Sequence, residues 1–281
     1  MTKAFITGAT GNIGTHLTKH LQSLGVNFTA GSRNIETSHY PTVKINYEDK
    51  HDLRQAFDGH DVLFLLTPDT EHSITWVKTA VDAAIDAGIK HIVRSSGIGA
   101  DDQSDYLVFR ELGIIESYIK ASGLAYTMIQ PNSFMQNFAT FQNLAVRNGR
   151  VFLPHDRTRV SYVDVRDVAL AAAHVIRDVN KHQAKTYVIT GGEAISDQEL
   201  LNEIGRVLGK NIQYISISEE EAIAAFRKYH LPEYNIEQLV SLYRADRDGH
   251  TSFISDDFQL ITNNKPRTAR EFALDYQQHW S

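Results

Sequence analysis

Three observations predict an α/β fold, a doubly wound parallel sheet with a smaller, mostly helical C-terminal lobe, for this chain of 281 residues. A short apolar strand, Lys3-Ala4-Phe5-Ile6-Thr7, runs straight into the glycine-rich turn Gly8-Ala9-Thr10-Gly11-Asn12-Ile13-Gly14 and then into an amphipathic helix. Apolar strands and helical stretches alternate from there to about residue 150, which implies a parallel sheet covered on both faces by right-handed crossovers. Beyond that point helix start signals dominate. Ser196 with Glu199, Ser218 with Glu221 and Thr268 with Glu271 each form the capping-box pattern.

The first helix carries Ile13, Leu17, Leu21 and Leu24 at helical spacing, and Gly25 closes it. Strands are expected at 26–31, 42–45, 61–66, 90–95 and 125–130. Helices are expected at 52–57, at 73–87 before Gly88, and at 107–121. In the second half, 160–163 and 186–189 read as strands flanking an alanine-rich helix at 165–177. Helices follow at 197–208 before Gly209, at 222–229, and at 269–280. The division expected is 1–154 for the dinucleotide-binding domain and 155–281 for the last sheet strands plus a substrate-binding lobe, the two forming one folding unit.

Composition removes several chemistries. The absence of cysteine excludes disulfides, thiolate nucleophiles, iron–sulfur ligation and thiolate zinc sites. A formal charge of −6 argues against nucleic acid as a partner, because such domains are usually basic. Apolar runs such as 62–66 fall far short of the roughly 20 residues of a membrane helix. The N-terminus lacks the apolar stretch of a signal peptide. The expectation is a cytoplasmic protein with no membrane partner. His16 and His20 stand four apart on the first helix but have no third ligand nearby in sequence, so no metal site is expected. Gly-x-Ser-x-Gly is absent, and with it the usual hydrolase elbow.

The strand–turn–helix context gives the glycine pattern its meaning. Gly8 allows a sharp turn, Gly11 allows close approach of a pyrophosphate, and Gly14 allows the helix to pack on the sheet. The helix N-terminus offers free N–H groups to the anion. The expected cofactor contacts are therefore Gly8, Ala9, Thr10, Gly11, Asn12 and Ile13. At the end of the second strand an NAD site places an acid on the ribose 2′-hydroxyl. This chain has Ser32-Arg33-Asn34 and no acid before Glu36. Arg33 and Ser32 suit a 2′-phosphate, so NADP(H) is favoured over NAD(H); a solvated surface arginine is the alternative. Ligands bind beyond the carboxyl ends of such strands. That places Leu66, Thr67, Pro68 and Ser95 beside the cofactor, with the alternative that Ser95 merely finishes its strand.

The turn Gly8–Gly14, the arginine after the second strand, and the stretch Ser122-Gly123-Leu124-Ala125-Tyr126-Thr127 resemble the NmrA-like family, an atypical branch of the short-chain dehydrogenase/reductases. So do Pro131-Asn132-Ser133-Phe134-Met135-Gln136-Asn137 and Val163-Asp164-Val165-Arg166-Asp167-Val168-Ala169. The resemblance implies NAD(P)H-dependent reduction of quinones or triphenylmethane dyes, although the family also holds cofactor-binding regulators. It also places Asn132, Phe134 and Asn137, just beyond the sixth strand, on the nicotinamide and substrate edge, with Phe134 as an apolar wall or else a core residue, and it places Asn46 where relatives carry an aspartate near the adenine. The larger catalytic branch uses Tyr-x-x-x-Lys on a helix, where lysine lowers the tyrosine pKa. Tyr40 to Lys44 has that spacing, but Pro41 prevents a helical face. Tyr106 with Arg110 is better placed, yet arginine does not deprotonate to relay a proton. Tyr106 is the one catalytic candidate, and a loop aromatic is the alternative. Reductases of the family often carry Lys or His four residues before a glutamate matching Glu116, and here that position is Leu112. A quinone-like acceptor needs mainly positioning, since water can supply the proton. Three readings remain: an NADPH-dependent reductase of a small aromatic electron acceptor, a non-catalytic NADP(H) sensor acting on a protein partner, and a sugar-nucleotide epimerase. Arg157, Arg159 and Arg166, and Lys265, Arg267 and Arg270, read as solvated faces or anion contacts.

Overall fold

The computed structural model describes residues 2–33 and 39–281. Its elements run β1 (Lys3–Ile6), α1 (Asn12–Ser23), β2 (Asn27–Ser32), β3 (Thr42–Lys44), α2 (Lys50–Phe57), β4 (Val62–Leu65), α3 (Ser73–Asp86), β5 (His91–Ser95), α4 (Leu107–Ala121) and β6 (Ala125–Pro131). There follow α5 (Asn143–Arg147), β7 (Arg150–Leu153), α6 (Val165–Arg177), β8 (Lys185–Ile189), α7 (Asp197–Leu208), β9 (Gln213–Ser216), α8 (Glu219–Lys228), α9 (Glu233–Arg247), α10 (Asp257–Thr262) and α11 (Ala269–Tyr276).

Seven strands form one sheet in the order β3-β2-β1-β4-β5-β6-β8, and every pairing in it is parallel. This is a Rossmann-type sheet. The chain winds outward from β1 in one direction and restarts at β4 in the other, so the switch point lies between β1 and β4. Strands buried on both faces are near-continuously apolar, as in Val62-Leu63-Phe64-Leu65, all 1% exposed or less. One face packs Leu17 and Leu21 of α1 with Val168, Ala172 and Val175 of α6. The other packs Phe5, Leu63 and Ile92 under Leu53 and Phe57 of α2, Val77 and Val81 of α3, and Ile115 and Ile119 of α4. A third core, built around Leu200, Ile204, Phe272 and Trp280, holds the C-terminal lobe. Among the described residues no helix is long and apolar enough to cross a membrane.

Several expectations change. Residues 160–163 are not a strand: Val160 bridges only Ile195, and Val163 only Phe134. Between them Ser161 donates its amide to the Thr251 carbonyl (3.0 Å) and its hydroxyl to that of Phe253 (2.6 Å), so a loop satisfies the backbone that a ladder would have used. Only β8 therefore joins the main sheet from the second half. The last α-helix ends at Tyr276, and a 3₁₀ turn, Gln277–His279, carries the chain to Trp280. The C-terminal lobe also holds a two-stranded parallel sheet of β7 and β9, which the sequence reading did not include. Arg166 and Arg267 are not simply surface charges: Arg166 pairs with Asp164 and Asp275, and the partly exposed Arg267 with buried Asp167.

Candidate functional site: a dinucleotide cradle at the switch point

The cradle is made of backbone. Gly8 turns the chain out of β1 at φ +66°, a left-handed conformation that costs glycine nothing. The Gly11 amide donates to the Gly8 carbonyl at 3.0 Å and closes the turn. A Cβ on Gly14 would lie 2.1 Å from the Gly8 oxygen and 2.6 Å from the Ala9 Cα, so α1 and the turn touch backbone to backbone. Gly11 caps α1 without a side chain, and the first turn holds no acidic residue. By contrast α2, α6, α7, α8 and α11 are capped by Asp49, Asp164, Ser196, Ser218 and Thr268. The amides at the start of α1 thus keep their positive potential for an anion. Thr10, Gly11 and Asn12 are exposed at this turn, while Ala9 and Ile13 are buried beneath it.

The neighbouring strand end is locked to it. Thr7 Oγ1 accepts the Leu66 amide at 2.8 Å and lies 3.0 Å from the Leu66 carbonyl oxygen, which also accepts the Tyr47 hydroxyl at 3.1 Å. The Leu66 side chain packs at 3.2 Å from where a Gly8 Cβ would stand. Thr67 and Pro68 continue from Leu66 along the partly exposed rim, and the Ser73 hydroxyl, at the start of α3, lies 2.9 Å from the Pro68 carbonyl oxygen. Ser32 is buried at the end of β2, and Arg33 beside it is exposed. Asn34 and Glu36 lie outside the described residues. Asn46 is exposed, and its Oδ1 accepts the Glu48 amide at 3.1 Å.

At the end of β5, Ser95 is buried and the Ser96 hydroxyl is buried without a protein partner. Arg94 is 4% exposed. Its Nη1 donates to the Leu65 carbonyl at 3.0 Å, its Nε has no partner, and burial pulls its pKa down to about 10. The charges of Tyr47, Glu116 and Asp69 act in the opposite direction. A buried guanidinium held by one carbonyl is costly, and it is a fixed positive charge under the cleft. Sequence reading missed it; an arginine inside the apolar strand His91–Ser95 was the available signal. Above it, Leu112 of α4 covers Gly97, with its Cδ1 2.8 Å from the position of a Gly97 Cβ.

The remaining candidates divide. Tyr106 donates its hydroxyl to Asp248 at 2.5 Å, which raises its pKa, and Arg110 Nη1 donates to the Ser104 carbonyl at 2.8 Å instead of facing the phenol. Tyr106→Phe is therefore expected to change kcat by less than about twofold, whereas loss of a true general acid lowers it about a hundredfold or more. Steady-state rates with any accepted electron acceptor decide the matter. Asn132 is 2% exposed, and its amide group is fully engaged: Nδ2 donates to Ser161 Oγ and the Thr251 carbonyl (both 2.7 Å), and Oδ1 accepts the Ser133 amide (2.7 Å). Phe134 packs partly buried against the α1–α6 core, and Asn137 stands half-buried in the turn that follows. The lobe closes over α4 through α9. Glu111 accepts Tyr234 Oη and Gln238 Nε2 (both 2.6 Å), and Ser241 Oγ accepts the Val108 amide (3.2 Å). A separate cavity of about 420 Å³ opens beside the end of β8 between Met135, Tyr162, Gly191 and Arg267, and it shares no residue with the glycine turn. Among the described residues no group of three or more His, Asp or Glu is arranged to hold a metal ion.

The residues fit a dinucleotide: a turn with glycine at its closest backbone approaches, an uncapped helix N-terminus, and a buried serine hydroxyl without a protein partner at the end of β5. Comparison with known proteins agrees with that architecture. The chain is 28% identical over 274 residues to an NAD(P)H azoreductase of Xenophilus azovorans, covering 95% of this chain and 96% of that one. It superposes on a nucleoside-diphosphate-sugar epimerase from Staphylococcus aureus with a TM-score of 0.87 at 22% identity, over 98% of this chain and 100% of the other. It superposes on an Escherichia coli NADPH-dependent quinone oxidoreductase complexed with NADPH with a TM-score of 0.86 at 23% identity, over 96% and 98% of the two chains. At those identities the superpositions establish the fold. Residues 2–273 match the NmrA-like family, and the chain belongs to it.

Proposed function

We propose that this protein is an NADPH-preferring oxidoreductase that reduces a small quinone-like or aromatic acceptor. The observation that carries the reading is the glycine cradle at an uncapped helix N-terminus, with Arg33 exposed at the adjoining strand end. Gly8 to Ile13 would hold the pyrophosphate, with Leu66, Thr67 and Pro68 along one side. Arg33 and Ser32 would meet a 2′-phosphate, through a charge-assisted pair that NADH cannot make. Ser95 would lie by the nicotinamide ribose, and Phe134 and Asn137 by the acceptor, with Asn132 fixing the strand end from which they project. When bound, NADPH supplies the reducing equivalent. The protein's own part is to orient the acceptor, exclude excess water under α9, and admit the water that delivers a proton. The azoreductase and quinone oxidoreductase relatives support this assignment.

The test is NADPH and NADH oxidation by the purified protein against quinones, azo dyes and triphenylmethane dyes. Saturable turnover with lower KM for NADPH is expected, and Arg33→Ala is expected to raise KM for NADPH about tenfold while leaving that for NADH unchanged. Faster turnover with NADH overturns the cofactor preference. A second reading is a non-catalytic NADP(H) sensor, favoured by Leu112 covering Gly97 and by Tyr106 being tied to Asp248. Tight NADPH binding without turnover of any acceptor decides for it.

A further inference from the structure

His155 follows β7 and is 4% exposed, between α7 and α9. Its Nδ1 lies 2.7 Å from Asp197 Oδ2 at the start of α7, and its Nε2 lies 3.1 Å from Asp246 Oδ2 near the end of α9. Both carboxylates are themselves buried, at 3% and 2% side-chain exposure. At 3.1 Å Nε2 faces the Asp246 carboxylate without a well-aligned hydrogen bond, a contact that favours a positively charged ring. A neutral imidazole would turn a lone pair toward one of the carboxylates; an imidazolium satisfies both. The outer oxygens are engaged as well: Asp197 Oδ1 accepts the Tyr162 hydroxyl (2.5 Å) and Asp246 Oδ1 accepts the Thr251 hydroxyl (2.6 Å).

The network leads back to the cleft. Thr251 is fully buried, and its carbonyl accepts Asn132 Nδ2 at 2.7 Å and the Ser161 amide at 3.0 Å. The same turn carries Asp248, which accepts the Tyr106 hydroxyl. One end of α9 is thus pinned to β6 and to the start of α4. We propose that His155 is a positioning residue, an imidazolium that locks the end of α9 and the Thr251 turn onto β6 and so sets the Asn132 and Tyr106 edges of the cleft. Its relevance to turnover rests on the reading of that cleft under Proposed function.

The groups facing His155 are Asp197 from α7, Asp246 and the Tyr243 ring (4.7 Å between centroids) from α9, and Tyr162, with Arg247 bonded to the neighbouring Pro154 carbonyl and Tyr214 to that of Leu153. Burial opposes the charge on His155, but Asp197 and Asp246 outweigh it and push its pKa up to about 9. A histidine pKa raised on folding gives stability that is complete below the unfolded value near 6.5 and is lost as pH rises through about 9.

Two measurements on the ligand-free protein test the proposal. Imidazole ¹⁵N spectra of the wild type should show both His155 nitrogens protonated at pH 7; a neutral tautomer there overturns it, whatever any variant does. Amide exchange in His155→Gln should accelerate about a hundredfold at Ser161, which donates to the Thr251 carbonyl, and at Ser133, which donates to Asn132, while β1 and β4 keep their protection. Asp246→Asn in the His155→Gln background should restore part of that protection. In the wild type the same amides should loosen as pH rises through 9, after correction for base-catalysed exchange, and the variant should lack that step. Unchanged exchange, or equal acceleration throughout the sheet, overturns the proposal. Because neither readout needs cofactor or turnover, its failure is distinguishable from that of the reductase reading. Where turnover is seen, His155→Gln should raise acceptor KM and leave NADPH affinity within about twofold.

Discussion

Gly14→Ala is expected to abolish NADPH binding and to destabilise the fold. The added methyl would stand 2.1 Å from the Gly8 oxygen, 2.6 Å from the Ala9 Cα and 2.7 Å from the Ala9 carbonyl carbon. All three are backbone atoms, so no side chain can swing aside. Either α1 lifts from the sheet, losing the packing of Leu17 and Leu21 against α6, or the Gly8–Gly11 turn opens and takes the anion site with it. Alanine is the better helix former by about 1 kcal/mol. Overpacking against rigid backbone costs about 1–3 kcal/mol and here exceeds that gain. Urea denaturation measures the first effect and quenching of intrinsic fluorescence by NADPH the second. Gly192→Ala is the control: it has an ordinary φ, and its new Cβ meets nothing within 4 Å, so stability should stay within about 0.5 kcal/mol of wild type. Wild-type affinity in Gly14→Ala would refute the cradle.

Asp164→Ala is expected to cost about 3–5 kcal/mol, the penalty for breaking a buried ion pair by removing one partner. Asp164 is fully buried. Its Oδ1 accepts the Arg166 amide, Arg166 Nε and Gln136 Nε2 (all 2.9 Å), and its Oδ2 accepts Arg166 Nη2 at 2.7 Å. One carboxylate therefore caps α6, neutralises an arginine and orients the glutamine whose Oε1 accepts the Val165 amide at 3.0 Å. Alanine leaves the Arg166 amide, Arg166 Nε and Nη2 and Gln136 Nε2 without this acceptor, while Asp275 still holds Nη1 on the outer face of Arg166. Asp164→Asn keeps the cap and loses the charge, so its cost should fall between wild type and alanine. Urea midpoints for the three proteins order them, and an alanine variant within about 1 kcal/mol of wild type contradicts the assignment.

Local chemistry made much of this protein legible before any coordinates. α4 and α6 span the stretches expected of them, and the capping boxes before α7, α8 and α11 form as their sequences require. The glycine turn between β1 and α1 was readable because each glycine there answers a separate steric demand within seven residues.

The second half was less readable because its pairings are made at a distance. β7 and β9 are four residues each and become strands only by pairing with one another across more than fifty residues. Residues 160–163 have strand-like composition but meet a polar loop in place of a ladder. α9, which the sequence analysis did not anticipate, follows Pro232 without a side-chain cap, and its buried face includes the polar residues Gln238, Ser241 and Asp246. They are inside because Glu111, the Val108 amide and His155 are there to receive them. Arg94 likewise breaks an apolar strand for a reason visible only where β4, β5 and Tyr47 converge.

By itself, the sequence determined the alternation of strands and helices that implies a parallel sheet, the site of the glycine cradle and the helices that signal their own ends, since each is written in residues close together along the chain. Only the tertiary structure decided which polar groups are buried, which arginines are paired and how α9 is anchored over the cleft. Burial of a charge is permitted by its partner, and in this fold the partners of His155 and Arg267 lie on different elements, far apart along the chain.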